Sequence, residues 1–147
     1  MSDKSFVHLH NHSEYSMLDG AARIKQLVAK AAELEMPAIA ITDHGNSHGA
    51  YEFWKQANAH GVKPVIGIEA YLAPGSRTDK TRVRWGDGGG DDVSGGGAYS
   101  HLTMWSTDNA SMQNLFRLSS EAYLPGYYFK PRMDRELLSK YGKGLIA

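Results

Sequence analysis

Cysteine is absent from this 147-residue chain, and so is an excess of charge of either sign. Without a thiol the chain has no disulfide and no thiolate zinc site, which agrees with a cytoplasmic location. Its 16 Lys and Arg balance its 16 Asp and Glu. Whole-chain charge therefore indicates neither a nucleic-acid binder nor an acidic partner, although a metal site can hold phosphates locally without a basic surface.

Long apolar runs are lacking too. None approaches the roughly 20 residues that a membrane span needs. Residues 1–5 also lack the apolar region of a signal peptide, so no membrane partner is expected. Hydrophobic residues at 41% and charged residues at 22% are ordinary for a globular protein. At this length the chain fits one domain with a real core.

The apolar periodicity predicts alternating strands and helices. Strands are predicted at 6–10, 37–41, 65–68, 101–105 and from 144 onward, and helices at 22–35, 48–60, 109–123 and 134–141. This order is typical of an α/β fold with a parallel sheet and outer helices. The long connection at 74–98 is rich in Gly and Asp, which predicts a flexible insertion. No strand leads into it, so it does not resemble a phosphate-binding loop.

Histidines and acids recur at or near the predicted strand ends, where parallel sheets bind their ligands. The candidate metal ligands are His10, His12, Asp19, His44, Glu69 and His101. Residues two apart on a strand point the same way, so His10 and His12 could share one metal. Imidazoles with carboxylates suit Zn²⁺, Mn²⁺ or Fe²⁺. His101 stands at the opening of its strand, so it reaches the site differently or that boundary is misplaced.

Each candidate ligand also has a plain structural alternative. Asp19 before Gly20 could be a turn or N-cap residue, and His101 could be a surface histidine at a strand edge. Glu69 in an apolar strand would be costly to bury unpaired, which favours a metal role. Asp43 is a candidate for orienting the neighbouring His44 imidazole.

A second candidate surface lies in the predicted insertion. Its cations, which could contact a nucleic-acid backbone, are Arg77, Lys80, Arg82 and Arg84. Acids in the same stretch favour a solvated loop of balanced charge instead, and they are Asp79, Asp87, Asp91 and Asp92. The aromatic residues Tyr51, Phe53 and Trp54 are predicted to pack their helix and not to stack bases.

Several motifs together resemble a known family, the PHP (polymerase and histidinol phosphatase) superfamily. They are His10-x-His12, Thr42-Asp43-His44-Gly45-Asn46, Gly67-Ile68-Glu69-Ala70-Tyr71 and Ser100-His101-Leu102. Five further segments are similar to one branch of it, the N-terminal domain of bacterial DNA polymerase III alpha subunits. These are residues 6–10, 15–20, 123–128, 130–134 and 141–147.

The resemblance implies a distorted (β/α)7 barrel with up to three metal ions, here Zn²⁺ or Mn²⁺. The six candidate ligands occupy the first six of nine family positions. The last three, a cysteine or histidine and an Asp-x-His pair, are expected further along than Ala147. The chain is thus expected to be the N-terminal part of a PHP domain, and the uncovered sheet edge of such a part would favour aggregation or partial disorder.

The implied function is a 3′→5′ exonuclease site within a replicative polymerase that uses Mg²⁺ for synthesis. Implied partners are DNA, deoxynucleotides, the sliding clamp, the clamp loader and a proofreading subunit. Two alternatives stay open. One is a non-catalytic scaffold that holds the proofreading subunit, and the other is a stand-alone PHP phosphatase.

Overall fold

The computed structural model describes residues 6–83 and 95–147, and it confirms the α/β class. Its helices are α1 (Ile24–Glu33), α2 (Ala50–Ala59), α3 (Asn109–Tyr123) and α4 (Arg135–Tyr141). Its strands are β1 (Ala38–Ile41), β2 (Lys63–Leu72), β3 (Ser100–Ser106), β4 (Arg132–Met133) and β5 (Leu145–Ile146). Short 3-10 turns lie at Glu14–Ser16 and Gly95–Gly97. Apart from the two 3-10 turns, β4 is the one element of the described residues that was not predicted from the sequence.

The sheet has the strand order β1-β2-β3-β5, and β4 pairs with the end of β2. As predicted, β1 runs parallel to β2, and β4 is also parallel to it. In contrast, β3 runs antiparallel to β2, so the sheet is mixed. This direction accounts for His101, because an antiparallel strand opens beside the carboxyl end of its neighbour. The register indeed sets His101 opposite Tyr71, near the end of β2.

The predicted first strand, residues 6–10, is wrong as regular structure. The segment runs beside β1, where the amides of Ala40 and Thr42 donate to the carbonyls of His8 and Asn11 (2.9 and 2.8 Å). The amides are two residues apart but the carbonyls are three apart. An extra residue in one chain interrupts a regular ladder. The Asn11 side chain fills the gap by donating to the carbonyls of His8 and Ala40.

The helix boundaries follow local capping chemistry. Asp108 and Ser111 form a reciprocal capping box at the start of α3, and Asp134 accepts from the Leu137 amide at the start of α4. Both helices match their predicted ranges closely. The α1 helix ends earlier than predicted, because Glu35 adopts a positive φ of 54° before Pro37.

Apolar faces of the helices and the sheet form one core. Its largest members include Ile24, Phe53, Ile68, Met104 and Leu115. The predicted packing role is confirmed for Phe53, which is fully buried. It is wrong for Tyr51 and Trp54, which are 71% and 51% exposed. No helix within residues 6–83 and 95–147 is long and apolar enough to cross a bilayer.

Both ends of the predicted insertion are fixed by one buried side chain. The Arg132 guanidinium donates to the carbonyls of Arg77, Asp79 and Ala98 at 2.7 to 3.0 Å, and to that of Gly126 at 3.3 Å. The Gly-rich centre of the insertion lies outside the described residues, so its flexibility stays a prediction.

Candidate metal centre

The buried carboxylate of Glu69, on β2, is surrounded by four imidazoles. Its Oε2 faces Nε2 of His10, in hydrogen-bond contact, and Nε2 of His12 at 3.2 Å. Its Oε1 faces Nδ1 of His101, also in hydrogen-bond contact, and Nδ1 of His44 at 3.6 Å. The strand end, the antiparallel strand opening and the N-terminal segment thus converge on one acid.

A second carboxylate, Asp19, completes the cluster from the exposed side. Its Oδ2 lies 2.6 Å from Nε2 of His44 and 3.8 Å from Nε2 of His12. The two imidazole rings stack with their centroids 4.2 Å apart. Within three overlapping triads the donor atoms all lie within 4.8 Å of one another. The triads are His10/His12/Glu69, His12/Asp19/His44 and His44/Glu69/His101. All six predicted ligand positions are therefore brought together.

Backbone pairing continues beyond β1 and sets His44 beside Glu69. The Glu69 amide donates to the Asp43 carbonyl (3.1 Å), and the Gly45 amide donates to the Glu69 carbonyl (2.8 Å). Gly45 has a φ of +65°, and a Cβ there would come within 2.8 Å of the Tyr71 ring. A glycine is therefore required where the chain turns away after His44.

Asp43 positions the segment between His12 and Asp19. Its buried carboxylate accepts from the Ser13 amide (2.6 Å), the Ser13 hydroxyl (2.7 Å) and the Ser16 hydroxyl (2.9 Å). The Ser16 hydroxyl in turn accepts from the His44 amide (2.8 Å). The predicted contact of Asp43 with the His44 ring is wrong, because that ring faces Asp19 and Glu69. Asp43 supports the centre through the serine turn.

The charge states of three ligands favour cation binding. Burial, and then the electrostatic interaction with His44, lowers the pKa of His12, so this imidazole keeps a free lone pair at neutral pH. Burial would raise the pKa of Glu69, but hydrogen bonds from His10 and His101 outweigh it and the net shift is downward. The hydrogen bond from His44 lowers the pKa of Asp19. Metal ligands must be deprotonated, and both acids are ionised here.

Two of the imidazole rings also have a buried nitrogen that lacks a hydrogen-bond partner among the described residues. Nδ1 of His12 and Nδ1 of His44 are buried, and neither has a hydrogen-bond partner in the part of the chain that the structure describes. A buried polar atom without a partner is uncommon. Four imidazoles and two carboxylates in overlapping triads are a donor set that fits a divalent metal ion.

Of the predicted nucleic-acid contacts, the three that the structure describes have different surroundings. The Arg77 guanidinium is paired with Asp134 at 3.0 Å, which corrects its interpretation as a free cation. Arg82 lies over the Phe129 ring, 4.7 Å from its centroid. Lys80 is exposed, and Arg84 lies outside the described residues.

A cleft of about 320 Å³ opens beside the cluster, and Asp19 and His44 belong to its lining. Its other walls include Tyr71, Tyr123, Tyr127, Phe129 and Lys130. Sequence reasoning did not assign these residues to the site. One signal was available for Tyr71, because it lies two residues after Glu69 and hence on the same face of β2. Burial raises the pKa of Tyr71 to about 12, so its phenol stays protonated.

Known proteins similar to this chain are polymerase subunits. It is 57% identical to DNA polymerase III subunit alpha of Saccharopolyspora erythraea over 97% of its length, and 55% identical to that of Mycobacterium leprae over 100%. The Thermus aquaticus subunit is 50% identical over 99% of the chain. The chain spans only 11 to 13% of the length of these relatives.

Solved structures show the same fold at low identity. A protein from Bifidobacterium adolescentis classed as a metal-dependent phosphoesterase has a TM-score of 0.53 at 19% identity, with 80% of this chain and 33% of that chain covered. An amidohydrolase from Chromobacterium violaceum with bound sulfate has a TM-score of 0.52 at 22% identity, with 79% and 32% covered. The PHP domain model matches residues 8–147. The chain therefore belongs to the PHP domain family.

Proposed function

We propose that this chain supplies one side of a metal-dependent phosphoesterase site that removes 3′-terminal nucleotides from DNA. The observation that carries the proposal is the convergence of four imidazoles and two carboxylates in three overlapping triads. Two buried imidazole nitrogens in this group lack a partner among the described residues. A cleft that could admit a substrate shares two of the ligands.

The residues of the site have separable tasks. Metal ions bound by these side chains would lower the pKa of a water and offset charge on the departing oxygen. Glu69, held between imidazoles from three chain segments, fixes their mutual positions. Asp43 and its two serines hold the turn that carries His12 and Asp19. Lys130 at the cleft wall provides positive charge for a phosphate.

The donor set also supports a proposal for the metal, and the relatives support one for the parent protein. Imidazole with carboxylate favours Zn²⁺ or Mn²⁺, with up to three ions once the remaining family ligands are present. The relatives are replicative polymerase subunits, so we place this site in a cytoplasmic DNA polymerase that acts with Mg²⁺ on DNA and deoxynucleotides. Its partners would be the sliding clamp, the clamp loader and a proofreading subunit.

Metal content is the first test. The chain, purified without chelators, is compared by plasma mass spectrometry with a His12→Ala/His44→Ala variant. A His48→Ala/His60→Ala variant is the matched control, because both histidines are exposed and outside the triads. We expect zinc or manganese in the chain and in the control, and its loss in the ligand variant. Equal metal in all three proteins would contradict the assignment of the ligands.

Substrate choice separates the remaining alternatives. Release of nucleotides from 3′-labelled single-stranded DNA with Mn²⁺ or Zn²⁺ supports the exonuclease. Metal binding without hydrolysis of any phosphoester, in a protein that also contains the remaining family ligands, favours the scaffold. Hydrolysis of a phosphomonoester such as p-nitrophenyl phosphate, with DNA left intact, favours a stand-alone phosphatase.

A further inference from the structure

The cleft beside the candidate metal centre has room for a group larger than a phosphate. Asp19 and His44 belong both to the triads and to the cleft lining, so a molecule seated in the cleft touches the centre directly. Its volume of about 320 Å³ is at the small end of ligand sites, which run from roughly 300 to 1,000 Å³. This size suits one small unit of a substrate and not a duplex.

One wall of the cleft presents aromatic rings to solvent. Tyr123, Tyr127 and Phe129 are 40%, 51% and 55% exposed. The rings of Tyr123 and Tyr127 lie 6.4 Å apart with an interplanar angle of 31°. A contiguous group of exposed apolar rings, unlike single exposed residues, marks an interaction site. Exposed rings of this kind stack on unpaired bases with little regard to sequence.

The backbone holds one of these rings in an unfavourable conformation. Phe129 has a φ of +61°, in the left-handed region that a bulky residue rarely adopts. The turn is closed by the Tyr128 amide, which donates to the Lys130 carbonyl at 3.0 Å. Such strain persists where the surrounding structure requires it and is found at ligand sites. Here it sets the Phe129 ring and the Lys130 side chain in the same cleft.

Lys130 is the one Lys or Arg among the cleft residues. Its Nζ lies 5.6 Å from the centre of the Tyr71 ring. It has no acidic partner within the two described ranges, so its charge is available to a ligand. An ammonium next to aromatic rings and metal ligands matches a nucleotide, which combines a base and a phosphate.

A second depression shares one lining residue with the cleft. Tyr123 lines both, and the second one, about 540 Å³, includes His48, Ser119 and Ser120. On the other side, Met17 and Leu18 line the cleft and are 80% and 99% exposed. These apolar tips are suited to contact a base that has no pairing partner.

We infer that this cleft receives the unpaired terminal nucleotide of a single DNA strand. Tyr127 and Phe129 stack on its base, and Lys130 contacts its phosphate. The inference rests on the proposed function, because it assigns the substrate end of that same site. It makes the exonuclease selective for frayed or single-stranded ends, since a paired base cannot enter.

Equilibrium binding in EDTA tests the inference without any hydrolysis. The probes are 5′-fluorescein-labelled dT4 and the same oligonucleotide with an abasic final residue, measured by fluorescence anisotropy. We expect a Tyr127→Ala/Phe129→Ala variant to bind dT4 about 5- to 100-fold more weakly and the abasic probe unchanged. Lys130→Gln should weaken both probes alike and reduce the salt slope by about 1.

Matched variants guard against an effect of misfolding. Tyr51→Ala and Lys55→Gln alter exposed residues of α2 away from the cleft and should bind like the unmodified chain. Tyr127→Phe keeps the ring and should restore binding. Equal affinity for the intact and abasic probes, or no effect of the double variant, would overturn the inference.

The outcomes also separate this inference from the proposed function. Base-dependent binding in EDTA, by a chain that retains no more metal than its His12→Ala/His44→Ala variant, supports the cleft and contradicts the proposed metal site. Hydrolysis of intact and abasic ends at the same rate supports the exonuclease and contradicts the cleft.

Discussion

The Asp43 carboxylate holds the turn that carries the candidate ligands His12 and Asp19. It is 2% exposed and accepts three hydrogen bonds from Ser13 and Ser16. Removing an acceptor leaves buried donors unpaired, at a cost of about 1–3 kcal/mol for such a group. We therefore predict that Asp43→Ala lowers the free energy of unfolding by about 2–4 kcal/mol, as measured by urea denaturation.

Metal binding should fall in the same variant, because the turn carries His12 and Asp19. A suitable control is Glu33→Ala, which removes an exposed ion pair with Lys30 and should cost less than about 0.5 kcal/mol. Full metal content in a destabilised Asp43→Ala chain would contradict a positioning role for Asp43.

His12 should make the metal-free chain sensitive to mild acid. Because burial and His44 lower its pKa in the folded chain, the unfolded chain takes up this proton first as the pH falls. Stability is lost wherever the unfolded state binds more protons, so the loss begins near the ordinary histidine pKa of about 6.5. Glu69 and Asp19, whose pKa values are also lowered, add a second loss near and below about pH 4.

The contribution of His12 is isolated by comparing melting temperatures of the chain and of His12→Gln in EDTA between pH 8 and pH 5. The difference between the two proteins should change as the pH falls below about 6.5, in the sense that the unmodified chain loses more stability. A difference that stays constant over this range would show that His12 titrates alike in both states.

At the scale of elements, the sequence predicted positions well and strand direction poorly. The helices α3 and α4 could be predicted because their caps and apolar periodicity are local. The antiparallel direction of β3 could not, because it depends on pairing across the long connection after β2. The first segment alternates like a strand, but one extra residue against β1 breaks its ladder.

The candidate ligands were predictable because their residue types and spacing carry the chemistry. The residues that position these ligands were harder to predict. Ser13, Ser16 and Tyr71 have ordinary side chains whose roles arise from contacts with residues 27 to 30 positions away. Such contacts are set by tertiary packing and leave no local pattern.

Arg132 links β4 to both ends of the connection between β2 and β3. Its guanidinium is fully buried and donates to four backbone carbonyls. We predict that Arg132→Met lowers the free energy of unfolding by about 3 kcal/mol, since hydrogen bonds from a charged group contribute about 1.5–3 kcal/mol each and water replaces some of them. Urea denaturation measures this loss.

The same variant should expose the ends of the connection to protease. Residues 77–82 contain several trypsin sites, and their cleavage should become faster in Arg132→Met. Arg135→Met changes an exposed arginine on the adjoining helix and should alter neither quantity. Unchanged cleavage in Arg132→Met would show that other contacts hold this segment.

For the molecule as a whole, the described sheet is open, with β1 and β5 at the two ends of its strand order. The cleft beside the candidate metal centre lies where the 15–19 segment meets residues 123–131. A separate apolar groove of about 490 Å³ lies between α2 and α3. The lining of this groove shares no residue with the candidate metal ligands.

The groove between α2 and α3 should make the chain associate with itself. Tyr51, Trp54 and Phe116 line it and are 71%, 51% and 38% exposed. Exposed apolar patches of this kind drive association. We predict that the apparent mass by light scattering rises above 16.2 kDa as concentration increases, and that added salt does not suppress the rise because the contact is apolar. Trp54→Lys should restore a monomer, whereas Lys55→Glu on the same helix should not. A chain that stays monomeric at every concentration would instead show that the helices α2 and α3 present this groove without a self-complementary surface.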